Sequence, residues 1–194
     1  MIKAVIFDFY GVLAVRGSAS FRKRFLAADP SKDEQAKKLN DELGRGNISY
    51  DDFIDGLAKI GGVDREEVLV HTEDYTPNLE LLDYVRKELK PNYKLGIISN
   101  AGADWVLRIL GDDYKKLFDN IILSYEVGLI KPEPEIYEMS AKNLGVDEEE
   151  CVFIDDILTY CQGAESVGMN TIWYQDFGQF KTELEKLLPP VADN

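Results

Sequence analysis

Ala4-Val5-Ile6-Phe7-Asp8-Phe9-Tyr10-Gly11-Val12-Leu13 carries four consecutive apolar residues, then an acid, then a glycine three positions on. Apolar residues in unbroken succession, not in alternation, mark a strand covered on both faces, as in a parallel sheet between helices. Leu95 to Ile98, Ile121 to Leu123 and Val152 to Ile154 repeat the pattern, and Thr171 to Trp173 makes a fifth run. Helical signals lie between them. Asn78 to Leu89 sets Leu79, Leu82, Val85 and Leu89 on one stripe behind the start signals Thr76 and Pro77. Glu133 to Leu144 follows Pro132, has Pro134 at its start and ends at Gly145. Tyr160 to Val167 ends at Gly168, and Phe177 to Leu188 is stopped by Pro189-Pro190. Strands alternating with helices predict an α/β fold with a doubly wound parallel sheet.

Residues 15–75 break that rhythm. The stretch is about twice as long as a βαβ crossover needs and shows no convincing strand. Its punctuation is helical: Ser31-x-x-Glu34, Ser49-x-x-Asp52 and Asp64-x-x-Glu67 read as capping boxes, and Gly44 and Gly61-Gly62 as stops. The expectation is an α/β core over 1–14 and 76–194, with a small helical domain over 15–75 inserted after the first strand. The acidic run Asp147 to Glu150 reads as a solvated helix start.

The 194 residues hold 36 acidic and 22 basic side chains, a formal net charge of −14. Such a surface repels nucleic-acid backbones and anionic lipid, and no concentrated basic patch offsets it. One histidine and two cysteines exclude a Cys/His zinc cluster and a disulfide scaffold. No apolar run is long enough to span a membrane. Met1 to Phe7 meets a charge at Asp8 and has no cleavage-site pattern, so it reads as structure and not as a signal peptide. A cytoplasmic enzyme, monomeric or homodimeric, is expected, with neither nucleic acid nor membrane as partner.

In open parallel sheets the reactive site lies beyond the carboxyl ends of the strands. Asp8 follows the first run, Ser99 and Asn100 the second, and Asp155 and Asp156 the fourth, while Lys131 stands in a turn after the third. One Asp after a strand is usually a turn cap; matching residues at four strand ends point to a crevice. Carboxylates crowded there repel unless a cation neutralises them, and an oxygen-rich, partly open site suits Mg²⁺ together with a substrate phosphate. Asp8 is then the nucleophile toward phosphorus, and Lys131 holds Asp8 or the phosphate. Ser99, Asn100 and nearby backbone N–H groups bind phosphoryl oxygens. The expected substrate is a small phosphorylated metabolite.

The set Asp8 to Leu13, Ile98-Ser99-Asn100, Gly128 to Tyr137 and Val152 to Asp156 resembles the haloacid dehalogenase superfamily across nearly the whole chain. Residues 45–49 and 123–128 look most like the branch holding the phosphatase-type domain of soluble epoxide hydrolases and the glucose-1-phosphate phosphatases. The resemblance implies a Rossmann-like core with a helical cap. It makes Asp8 nucleophile and metal ligand, Ser99 and Lys131 phosphate binders, and Asp155 or Asp156 the rest of the Mg²⁺ site. The Tyr10 carbonyl is implied as a further ligand. Phosphatases of the superfamily usually carry a second aspartate where this chain has Tyr10. A phenol, with pKa about 10, donates a proton but is a poor base at neutral pH. Tyrosine there also resembles the metal-independent 2-haloacid dehalogenases, a scheme that Lys131 and Tyr137 fit. Asp155 and Asp156 oppose it, since those dehalogenases carry small neutral residues at these positions. A third alternative is a binding protein on the same fold, impaired in catalysis at Tyr10. Tyr160 replaces a common asparagine, with a small effect on loop order expected.

The dull reading applies elsewhere. His71 is expected to pack or face solvent, Cys151 and Cys161 to be unreactive, and Trp105, Trp173 and Tyr174 to be core. Arg16 and Arg22 lead into the insertion, where they could meet an anionic substrate, yet solvated arginines are the commoner case.

Overall fold

The computed structural model describes residues 1–17 and 20–188. β1 (Ala4–Phe7) leads through a tight loop to β2 (Ala14–Arg16), a π-type turn over Arg22–Leu26, and the helices α1 (Pro30–Gly44), α2 (Tyr50–Gly61) and α3 (Arg65–Thr72). β3 (Tyr75–Pro77) and α4 (Leu79–Tyr84) follow, the latter continuing in a π-type turn over Val85–Leu89. Alternation then takes over in β4 (Lys94–Ser99), α5 (Trp105–Lys115), β5 (Asn120–Leu123), α6 (Ser124–Val127) and α7 (Pro134–Leu144). It ends with β6 (Cys151–Asp155), α8 (Leu158–Ser166), β7 (Asn170–Trp173) and α9 (Phe177–Leu187).

Five strands pair in parallel in the order β5-β4-β1-β6-β7. β1 is central and wholly buried. Its side chains alternate between two cores, which is why its sequence is apolar without a break. Val5 and Phe7 pack with residues of α4, α5 and α9, among them Leu82, Val106 and Phe180. Ala4 and Ile6 pack with residues of α7 and α8, among them Ile136 and Ala164. The order reverses at β1, the switch point where ligands enter such sheets. Phe7 lies opposite both Ile97 and Ile154, so one further step along β1 and β6 reaches Asp8 and Asp155.

The segment between β2 and β3 has its own apolar cluster, built on Phe21, Leu26, Leu43, Phe53, Ile54, Leu57 and Val68. A Cβ on Gly56 would stand 2.5 Å from Leu39 Cδ2, so glycine lets α1 and α2 lie close. Two strands missed in the sequence join this segment to the sheet domain. β2 and β3 pair antiparallel, Ala14 with Pro77 and Arg16 with Tyr75, in runs too short and mixed to show a period. α5 is likewise unannounced, because Gly111, at φ 69° and ψ 171°, interrupts its helical path.

The capping signals hold at Ser49, a complete box with Asp52, and at Asp64, which accepts from the Glu67 N–H. They fail at Ser31. Asp29 is the cap there, accepting from the Ser31 and Lys32 N–H groups at 3.1 and 3.2 Å, with Pro30 first in the helix. Gly44 is the last helical residue, and the left-handed turn is made at Gly46 (φ 74°). Asp147 to Glu150 forms a single capped 3₁₀ turn. The stop expected at Pro189-Pro190 lies outside the described residues.

Candidate active site

Strand ends deliver the functional groups. The Asp8 N–H donates to the Ile154 carbonyl at 2.7 Å, so its backbone still belongs to the ladder while its side chain passes the sheet edge. Lys131 is 1 % exposed, and its ammonium stands between two carboxylates, 2.5 Å from Asp8 Oδ1 and 2.6 Å from Asp155 Oδ2. Asp155 Oδ1 accepts the Ile157 N–H at 2.8 Å, so that side chain also shapes its own loop. Asp156 comes in from the exposed side. A Cβ on Gly11 would lie 2.4 Å from Asp156 Oδ2, and Gly11 has φ 98°; only glycine lets the β1 loop turn beneath that carboxylate.

Oxygens of Asp8, Asp155 and Asp156 all lie within 4.8 Å of one another. With all three carboxylates ionised, one ammonium would leave two negative charges uncompensated, and without a further cation the acids respond by holding their protons. Burial pushes the Asp8 carboxyl up to about 8; Lys131 opposes the rise and Asp155 adds to it. Burial and Asp155 lift Asp156 to about 6. For Lys131, burial opposes the charge, but Asp155 and Asp8 outweigh it and raise its pKa, so the ammonium persists. An all-oxygen donor set with a deficit of two positive charges fits one Mg²⁺ ion.

Ser99 Oγ, wholly buried at the end of β4, finds no hydrogen-bond partner among the described residues. An orphaned buried hydroxyl calls for a ligand. Asn100 Oδ1 accepts the Lys131 N–H at 2.8 Å, and its Nδ2 donates to the Lys131 carbonyl at 3.0 Å and to the Tyr160 hydroxyl at 3.4 Å. That amide grips the backbone of Lys131 on both sides. Tyr160 also does more than order a loop, since the ammonium lies 5.0 Å over its ring.

Tyr10 reaches the site by its position in the chain but turns its ring into the aromatic wall, 5.0 Å from Phe9 and 4.7 Å from Tyr75. Burial holds its phenol well above the ordinary range, so it remains protonated. Tyr137 stands behind the site, its hydroxyl donating to the Tyr160 carbonyl at 2.8 Å. Trp173 is 45 % exposed, contrary to the core expectation, because β7 is an edge strand; its Nε1 donates to the Asp156 carbonyl at 2.9 Å and steadies that loop. Tyr174 is buried as expected, and the Trp105 side chain lies outside the described residues. Burial pushes both cysteine thiols up to about 12, which leaves them inert. His71 packs at 5.5 Å from Phe25.

A family model described as haloacid dehalogenase-like hydrolase matches residues 2–168. D-ribitol-5-phosphate phosphatase of Bacteroides thetaiotaomicron is 28% identical over 207 residues, spanning 97% of this chain and 99% of that protein. Bifunctional epoxide hydrolase 2 of Sus scrofa is 39% identical over 70 residues, covering 36% of this chain and only 13% of that larger protein. Among solved structures, a Bacteroides thetaiotaomicron enzyme in complex with magnesium and inorganic phosphate is 24% identical. It superposes with TM-score 0.72 over 93% of this chain and 99% of that one, a likeness of fold. No helix among the described residues is long and apolar enough to cross a membrane.

Proposed function

We propose that this chain, which belongs to the haloacid dehalogenase-like hydrolase family, hydrolyses small phosphomonoesters, with Mg²⁺ held by Asp8 and Asp156 beside an Asp155 that anchors Lys131. The observation carrying this reading is a single crevice holding three carboxylates, one buried ammonium and the orphaned Ser99 hydroxyl. The main-chain carbonyl of Tyr10 is the further metal ligand in this assignment. Residues 15–75 form the cap over the site.

Bound Mg²⁺ offsets the repulsion between Asp8 and an anionic phosphoryl group and polarises its oxygens. Lys131 fixes one Asp8 oxygen and faces the incoming negative charge. Ser99 donates its hydroxyl proton in a hydrogen bond to a phosphoryl oxygen. An Asp8 oxygen bonds to phosphorus as the ester P–O bond breaks, and the departing oxygen takes a proton from solvent, because the buried Tyr10 phenol keeps its own. Water then attacks phosphorus and gives its proton to bulk solvent, the Asp8–phosphorus bond breaks, and inorganic phosphate leaves. No carboxylate stands at position 10 to accept the water's proton, so the second step is the slow one. A metal-independent dehalogenase remains disfavoured, because it leaves three carboxylates facing an anionic haloacid.

Two measurements test this reading. Hydrolysis of an aryl phosphate is expected to fall at least about a hundredfold on chelation with EDTA and to return with added Mg²⁺. Turnover of a haloacid that survives EDTA would instead establish the dehalogenase. Tyr10→Asp is expected to raise kcat on alkyl phosphates by on the order of 10² and to change aryl phosphate turnover less, since alkoxides need the proton more. An unchanged alkyl-to-aryl ratio would place position 10 outside the proton pathway.

A further inference from the structure

Between the helical segment and the sheet lies a cavity of about 420 Å³ that meets the catalytic crevice at Tyr10 and Asn100. That is the size of a small-molecule pocket and more than a phosphoryl group fills. Its wall is basic in a chain of net charge −14. Arg16, Arg22 and Arg108 line it, three of the seven arginines, while none of the fifteen lysines does. The acid in that wall is Glu73, exposed, which accepts the Tyr50 hydroxyl at 3.1 Å. Arg22 is neutralised by Asp33, which it grips at 2.7 and 2.9 Å.

Arg16 differs. It donates to the His71 carbonyl at 2.5 Å and to the Tyr75 hydroxyl, and lies 4.3 Å over the Tyr75 ring. Among the described residues no carboxylate lies within ion-pair distance of it. Neutral acceptors therefore occupy part of a half-buried guanidinium whose positive charge is unanswered, with N–H donors to spare. Its place is fixed by the β2–β3 register, in which Arg16 faces Tyr75, and the Tyr75 ring in turn packs on Tyr10, two residues after Asp8. A planar fork with one positive charge matches a carboxylate.

We infer that this cavity is a carboxylate subsite centred on Arg16. Resting on the phosphatase reading, the substrate class is a phosphomonoester whose leaving group bears a carboxylate. The test compares 3-phosphoglycerate with glycerol 3-phosphate, which differ chiefly in that one group. With Mg²⁺ present, kcat/KM is expected to favour the carboxylate probe by about tenfold to a hundredfold. Calorimetric binding of both probes to the inactive Asp8→Asn variant should show the same preference. Arg16→Gln should bring the two probes within about twofold of each other, and Arg16→Lys should keep part of the difference. If Arg16 only braced the fold, both probes would weaken together and the ratio would stand, which would overturn the inference, as would a preference for glycerol 3-phosphate. Absence of turnover with a persisting binding preference would sink the phosphatase reading and leave the subsite; turnover without the preference would do the reverse.

Discussion

Lys131→Met is expected to lower the unfolding free energy by about 3–5 kcal/mol in metal-free buffer and to remove measurable turnover. Methionine has nearly the volume of lysine, so packing is kept and charge is what changes. The ammonium is the shared counter-ion of Asp8 and Asp155, at 2.5 and 2.6 Å, and both acids are buried. Without it, two carboxylates face each other with no cation and little water. The backbone of the loop should stay in place, because Asn100 grips both the N–H and the carbonyl of residue 131. A double variant isolates the electrostatic cause: Asp8→Asn added to Lys131→Met removes one of the stranded charges and should recover part of the lost stability. Urea unfolding of the four proteins measures this. A loss below about 1 kcal/mol, or no recovery in the double variant, would show that Lys131 does not balance these acids.

Much of this site was legible because parallel strands announce themselves. A strand buried on both faces must be apolar throughout, so the first charged or hydroxylic residue after each run falls at the sheet's reactive edge. Asp8, Ser99, Asp155 and Asp156 were found by that rule alone, and the structure brings the three acids within 4.8 Å of one another. What escaped had no local signature. β2 and β3 are three residues each, and their pairing joins positions about sixty apart, such as Arg16 with Tyr75. The cavity wall draws on Arg16, Arg22, Tyr50, Tyr75 and Arg108, which no spacing rule collects. Asn100 stands at the expected strand end, but its grip on the Lys131 backbone has no sequence signal, since a side-chain amide suits a phosphate and a backbone equally. Trp173 is exposed because β7 is an edge strand, and composition does not reveal which strand lies at an edge. Long-range pairing decided each of these cases.

Asp8→Asn is expected to reduce kcat by on the order of 10⁵ or more, without a matching loss of stability. The amide is isosteric with the carboxylate and its oxygen can still accept the Lys131 proton, but it is a very weak nucleophile toward phosphorus. The two effects separate because Asp8 is costly to keep ionised. Burial and the neighbouring Asp155 both oppose its charge, and Lys131 only partly offsets them. Removing that charge leaves Lys131 paired one-to-one with Asp155 at 2.6 Å, a better-balanced buried pair than the native trio. The variant should therefore unfold at the same or a slightly higher urea concentration while its turnover vanishes. Active sites commonly trade stability for function in this direction. Phosphatase assay beside urea titration reads both quantities on one preparation. Residual activity above about one per cent would assign the attack on phosphorus to another group, and a stability loss of about 2 kcal/mol or more would make Asp8 a structural residue instead.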